Sequence, residues 1–314
     1  MLPFGASISC ALFEKFSSFL HWLIQKHTQN HFIVHYLDDF LFCGPPHSFV
    51  THHSLQAFKS ICADIGVPIA DEKTVEPTHI LTFLGIELDT INMTMRLPHE
   101  KLNQLKSSLQ YFYNAKKVSL REMQSLIGLL NFACKVIAPG RAFCRRLINS
   151  TIGITKHHHR IRVTKNIKAD LEVWSNFLES YNGISVISLQ PWVYDETIQL
   201  FTDSAGGPKG GFGIYFAGKW APGSWPSSWA EQEIIRDMPF LEFFPVVVAL
   251  TLWKNQFAHS KLLFHIDNMA VVQVINQATS KSDRVMKLVR KLVLTCLKSN
   301  ICIQASYIPT KQNL

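Results

Sequence analysis

The chain has 314 residues, 47% of them hydrophobic and 17% charged, with a net charge of +8 and a pI near 9.1. Such a chain can bury two domain cores and is not disordered in composition, and its basic balance favours a polyanionic partner. Seven scattered cysteines without a C-x-x-C pair argue against a disulfide framework or a zinc site, and no apolar run has the length of a membrane span or secretory leader. An intracellular, reducing compartment, cytoplasmic or nuclear, is expected.

In chain order, residues 7–27 place Ile8, Leu12, Phe16, Leu20 and Leu23 at helical spacing. Residues 31–44 (HFIVHYLDDFLFCG) then alternate Phe32, Val34 and Tyr36 before Asp38 and Asp39, and Phe40 and Phe42 after them. That pattern predicts a strand, a tight turn and a return strand, backed by the first helix. Two carboxylates on an apolar platform are costly unless a cation sits between them, and hard oxygen ligands suit Mg²⁺. Taken alone, an Asp-Asp pair is more often a solvated turn than a metal site. Pro45-Pro46 with His47, His52 and His53 reads as a solvated segment without ligand spacing. Residues 54–65 predict a second helix, capped by Gly66. Lys73 falls between an apolar strand and a polar turn, and residues 80–88 and 94–97 predict a hairpin.

After Pro98 the pattern turns helical. Leu102, Leu105, Leu109 and Phe112 form one stripe; Ser119 to Glu122 is a capping box that opens a second, Met123, Leu126, Ile127 and Leu130. Arg141, Arg145, Arg146, then His157-His158-His159, Arg160 and Arg162 make the most basic stretch, a solvated face or a set of phosphate contacts. Leu171, Trp174, Phe177, Leu178 and Tyr181 mark another helix, and residues 183–191 a linker.

Residues 198–203 read as a strand ending in Asp203, followed by a glycine-rich meander over 211–216 and 219–224. Residues 239–253 predict a helix with Glu242, Val246, Ala249 and Trp253 on one face and Pro245 in its first turns, where a missing N–H does least harm. A glutamate heading that apolar face is out of place unless its charge is used. Residues 262–267 are a strand ending in Asp267, followed by Asn268 and a helix. A long amphipathic helix over 282–299, with Val285, Leu288, Val289, Leu292 and Cys296 inward, and a last strand over 301–307 complete the order.

These residues carry a resemblance. Tyr36-Leu37-Asp38-Asp39 resembles the Y-x-D-D box of reverse transcriptases; Leu2-Pro3-Phe4-Gly5 resembles their L-P-F-G turn against template and nucleotide. The segment 66–73 resembles the palm piece whose lysine, here Lys73, assists the pyrophosphate leaving group, and Phe83-Leu84-Gly85 resembles the primer grip. The surrounding wording is most similar to DIRS-type, tyrosine-recombinase retrotransposons. Thr202-Asp203-Ser204, Leu241-Glu242 and Ile266-Asp267-Asn268, in that order of strands and helices, resemble the first three boxes of ribonuclease H, and residues 307–313 the approach to its fourth.

The resemblance implies an α+β and α/β chain: a partial palm (1–97), thumb-like helices (98–150), a connection (151–195) and a ribonuclease H-like mixed-sheet domain (196–314). An ordinary helical bundle explains the thumb stripes equally well. It also implies RNA template, DNA primer, deoxynucleotides and RNA–DNA hybrid as partners, no membrane, and Mg²⁺, with Mn²⁺ as substitute. Asp38, Asp39, Asp203, Glu242 and Asp267 are the implied metal ligands and, with Lys73, the catalytic set. Pro3, Phe4, Gly5, Tyr36, Phe83, Leu84 and Gly85 are the implied nucleotide and nucleic-acid contacts. The family's third palm carboxylate precedes the L-P-F-G turn and its last ribonuclease H carboxylate would follow Leu314, so no primer extension and doubtful turnover are expected. A co-opted or inactive remnant that binds nucleic acid stays open.

Overall fold

The computed structural model describes residues 8–180, 185–186, 193–194, 197, 200–299 and 301–309. The chain divides into two compact units, Met1–Pro98 and His99–Leu314.

In the first unit the helix Ser9–Thr28 (α1) runs into strands β1 (Ile33–Tyr36) and β2 (Asp39–Phe42), paired antiparallel with Tyr36 opposite Asp39. The inward stripe of α1 keeps Leu20 of the expected one but not its first half. Ser17, Leu20 and Ile24 are buried, whereas Ile8, Leu12 and Phe16 are exposed. The contact surface is set by Ile33, Phe40, Phe42 and Phe58, which pack on Leu20 and Ile24, and this rotates the helix away from its most apolar run. The second helix (α2) spans Val50–Asp64, four residues earlier than its apolar pattern, and Gly66 ends it at φ 73°. Buried Asn30 joins these elements: its amide donates to the Cys43 carbonyl and Ser54 Oγ, both at 3.0 Å, and its oxygen accepts from Phe32 N at 2.9 Å.

The run predicted as one strand over 80–88 contains its own turn. β3 (Ile80–Phe83) and β4 (Ile86–Asp89) pair antiparallel, with β5 (Thr94–Arg96) beside β4. Leu84 and Gly85 take φ 48° and 75°, the positive pair that a two-residue hairpin turn demands, so the leucine hid the turn.

The second unit opens with the helix His99–Asn114 (α3), whose four expected stripe residues are all buried. The Leu120–Ala133 helix (α4) begins at the expected capping box: Ser119 Oγ accepts from Glu122 N at 3.2 Å, and Glu122 Oε2 accepts from Ser119 N at 2.6 Å. Just before it, β6 (Lys117–Ser119) pairs antiparallel with β7 (Arg160–Arg162), strands the sequence pattern did not suggest. Arg146, expected in a basic face, turns inward instead. It bonds Asp170 at 2.9 Å, and Arg290 reaches the same buried carboxylate at 3.5 Å. Burial pushes the Asp170 carboxyl up to about 6 against the pull of both guanidiniums. This knot ties the helices Arg145–Asn149 (α5) and Lys165–Ser180 (α6) to Asp283–Lys298.

Residues 183–191 and Tyr181 lie largely outside the described residues; Ser185–Val186 form the short strand β8 and Val193–Tyr194 β9. Strand β10 (Leu200–Ala205) continues past Asp203 and pairs antiparallel with β11 (Gly211–Phe216), beside which lie β12 (Lys219–Trp220) and β13 (Gly223–Ser224). The parallel strands β14 (Lys261–Ile266) and β15 (Cys302–Tyr307), with β9, form a separate sheet. Among the described residues no ladder joins β10 to β14, so the mixed sheet expected is in two parts. The Met238–Leu252 helix packs against β10 and β11 and against the Asp283–Lys298 helix. Pro245 is its eighth residue, not in its first turn; buried, it is held there by packing that outweighs the lost N–H bond.

Candidate active sites

The first candidate site is the β1–β2 hairpin. Its turn is Leu37–Asp38, with Leu37 at φ 53°, a conformation unfavourable for a branched residue. Asp39 is the first residue of β2 rather than part of the turn, and both aspartates are exposed. Asp38, Asp39, Lys73, Phe83 and Leu84, drawn from three separated stretches, line one cleft of about 440 Å³. Lys73 reaches it from a single 3₁₀ turn, Asp71–Lys73, not from beside a strand. Tyr36 and Gly85 are not among the residues lining this cleft, and Pro3, Phe4 and Gly5 lie outside the described residues.

Behind the hairpin lies a set of groups that the sequence pattern missed. His35 stacks on Phe40 at 5.3 Å, its Nε2 is 3.1 Å from Glu14, and its Nδ1 is 2.7 Å from His21 Nδ1. Burial and the neighbouring His35 hold His21 below the usual histidine range. The only signal in the sequence was the period-two position of His35, which puts it opposite Val34 and Tyr36.

The second candidate site is built from three elements. Asp203 lies on β10 opposite Gly213, exposed, its Oδ1 accepting from Ser204 N at 2.8 Å. Glu242 is one turn into the Met238–Leu252 helix, capped by Asp237, whose Oδ1 accepts from Phe240 N at 3.3 Å and whose Oδ2 pairs with Arg284 at 3.1 Å. Asp267 follows β14, and Asn268 caps the helix Met269–Gln277, its Oδ1 accepting from Ala270 N at 2.9 Å. The Asn268 side chain also donates to the Glu242 carboxylate. Burial raises the Glu242 carboxyl above its usual range, the Asn268 bond opposes this, and Asp267 and Asp203 raise it further. Glu242 Oε2 is buried without a partner.

The donor set, three hard oxygen ligands with one orphaned buried atom, fits a divalent cation in chemistry. Among the described residues, however, no group of three His, Cys, Asp or Glu side chains is placed to hold a metal ion. Nor is any described helix long and apolar enough to cross a membrane.

Residues 1–88, the stretch that holds the Asp38–Asp39 hairpin and the Leu84–Gly85 turn, match the family described as reverse transcriptase (RNA-dependent DNA polymerase). Solved structures similar to the chain include the foamy viral protease-reverse transcriptase in complex with RNA/DNA hybrid (19% identity, TM-score 0.45, covering 99% of this chain and 40% of that one). The same viral protein in complex with dsDNA matches with 19% identity and TM-score 0.43, covering 99% and 60%. Its dRH form with ds DNA matches with 19% identity and TM-score 0.43, covering 98% and 50%. The chain thus spans between 40% and 60% of the length of these structures. No curated protein matches the sequence.

Proposed function

We propose that this chain is part of a retroelement reverse transcriptase/ribonuclease H of the DIRS-like kind, acting on RNA–DNA hybrids. In the whole protein it would serve RNA-directed DNA synthesis from an RNA template and DNA primer. In this reading residues 1–97 form part of its palm, 98–150 thumb-like helices, 151–195 a connection or linker and 196–314 a ribonuclease H-like domain. For synthesis, support comes from the family match and from the cleft that gathers Asp38, Asp39, Lys73, Phe83 and Leu84. Lys73 would give a proton on the pyrophosphate side; Pro3, Phe4, Gly5, Tyr36 and Gly85 would contact nucleotide and primer.

The observation that carries hybrid cleavage is Glu242, half-buried, with one unpartnered oxygen, and within electrostatic reach of Asp203 and Asp267. Asp203, Glu242 and Asp267 are the residues that would hold magnesium, or manganese in its place. When bound, such ions activate water and stabilise the leaving oxygen of a phosphodiester. The chain's own part is to fix the carboxylates: Asn268 holds Glu242 while capping its helix, and Asp237 anchors the start of the helix that carries Glu242. That no three such side chains among the described residues form a metal-holding group favours a second reading, a remnant that binds hybrid without cutting it.

The test is cleavage of a labelled RNA–DNA hybrid by the purified chain in Mg²⁺ and in Mn²⁺, beside Glu242→Gln. Cutting that the substitution removes establishes the nuclease. Hybrid bound but uncut by both proteins gives the remnant, and neither binding nor cutting overturns both readings.

A further inference from the structure

The β6–β7 ribbon belongs to neither carboxylate site. Its register sets Lys117 opposite Arg162, Val118 opposite Ile161 and Ser119 opposite Arg160. Val118 and Ile161 are buried, so the alternation of a strand puts Lys117, Ser119, Arg160 and Arg162 together on the other face. Lys117, Arg160 and Arg162 are exposed, as are Lys116 and Arg121 at the ribbon's ends.

Two cations directly across a ladder destabilise it. None of these five side chains has a carboxylate within 4.0 Å among the ion pairs of the described residues. The acid that acts on Arg160 is Glu122, and its oxygens are taken by Ser119 N at 2.6 Å, Ser119 Oγ at 2.7 Å and the Tyr111 hydroxyl at 2.9 Å. Glu122 thus offsets Arg160 alone; Lys117 and Arg162, the two cations directly opposite each other, have no acid paired with them among the described residues. Arg160 and Arg162, two residues apart, are spaced by roughly 6.6 Å along the strand, and the paired strands by about 4.8 Å. Each strand of a duplex carries one phosphate per about 3.4 Å of helix axis, so cations this close together can meet neighbouring phosphates of one strand. The ribbon face itself carries only cationic and hydroxyl groups, which take phosphates rather than base edges, and the hybrid of the function proposed above presents those phosphates as a duplex.

We propose that this ribbon is a track for the phosphodiester backbone of double-stranded nucleic acid, gripping charge without reading sequence. The inference rests on the function proposed above and adds where the duplex is held. The repulsion within the ladder is what bound phosphates would relieve.

The experiment is binding of the full chain to a labelled RNA–DNA hybrid across a salt series, beside the Lys117→Gln/Arg162→Gln double variant. The slope of log affinity against log salt should become shallower by about 2, equally for hybrids of unrelated sequence. The melting temperature should hold or rise, because a like-charge pair has gone; a purely structural pair would lower it. Lys117→Glu, which places an acid opposite Arg162 and removes the same two units of positive charge, should also stay folded and weaken hybrid binding to a similar extent. An unchanged slope with hybrid still bound overturns this inference alone. A loss of binding to phosphatidylserine vesicles but not to hybrid overturns it as well. No hybrid binding by the unaltered chain overturns the function proposed above and this inference with it.

Discussion

Two glycines face opposite consequences from the same substitution. Gly140 lies against buried Trp174, and a Cβ there would meet the indole Cη2 at 2.3 Å and Cζ2 at 2.4 Å. Trp174 is fully buried and set edge-on to Phe177 at 5.9 Å, so it has no room to retreat. Gly140→Ala should therefore destabilise by about 1–3 kcal/mol, the usual cost of overpacking. Gly128, exposed in the Leu120–Ala133 helix, has nothing within 4 Å of a Cβ, and Gly128→Ala should stabilise by up to about 1 kcal/mol. Urea midpoints of the two variants should move in opposite directions; a shared direction would sink the packing argument. Gly140 and Trp174 are 34 positions apart, and nothing local in the sequence pairs them. Asp38 and Asp39 were legible because their signal, alternation around a polar pair, is complete within a dozen residues. The neighbouring His21–His35–Glu14 set was not, since the face that the helix turns to the hairpin is set by packing and not by its most apolar run.

The same distinction holds for elements. The capping box at Ser119 and Glu122 could be read because its partners are three residues apart, whereas the β6–β7 ribbon joins segments some forty residues apart through a strand of only three residues. At 80–88 the turn was missed because Leu84 is not a turn residue; its positive φ is imposed by the pairing of β3 with β4. The capping box also gives a pH-dependent prediction. The Ser119 N–H, its hydroxyl and the Tyr111 hydroxyl hold the Glu122 carboxyl below its usual range. A lowered carboxyl contributes stability that is present above its unfolded value of about 4.3 and is lost as pH falls through the lower folded value. Glu122→Gln should thus destabilise at pH 7, and the gap from the unaltered chain should close towards pH 3. Ser119→Ala should cost about 1 kcal/mol through the lost cap. Urea unfolding at both pH values checks the pair, and a Glu122→Gln deficit that does not change with pH would refute the hydrogen-bonded carboxylate.

At the scale of the whole chain, the change of texture at Pro98 was visible in the sequence, but the completeness of each unit's core was not. Helical and strand periodicity says which residues are apolar, not how many find partners. In Met1–Pro98 the core gathers around Leu20, Ile24, Ile33 and Cys62, while Phe19, Trp22, Phe32 and Val34 remain exposed. In His99–Leu314 the Leu120–Ala133 helix alone buries Leu120, Met123, Leu126, Leu130 and Ala133. Each fully buried aliphatic side chain contributes about 1.5–3 kcal/mol, so the first unit has the smaller reserve. Local opening free energies follow buried apolar contacts. Amides of the β1–β2 hairpin should therefore exchange with solvent hydrogen at least tenfold faster than those of Leu120–Ala133, a gap of about 1.4 kcal/mol or more in opening free energy. Hydrogen exchange read by mass spectrometry on the full chain would decide it. A slower hairpin would let Leu37 keep its strained turn only through contacts beyond that small core. Faster exchange would mean that the aspartate-bearing hairpin belongs to the readily opened part of the molecule, where a ligand bound to the folded state has most stability to add.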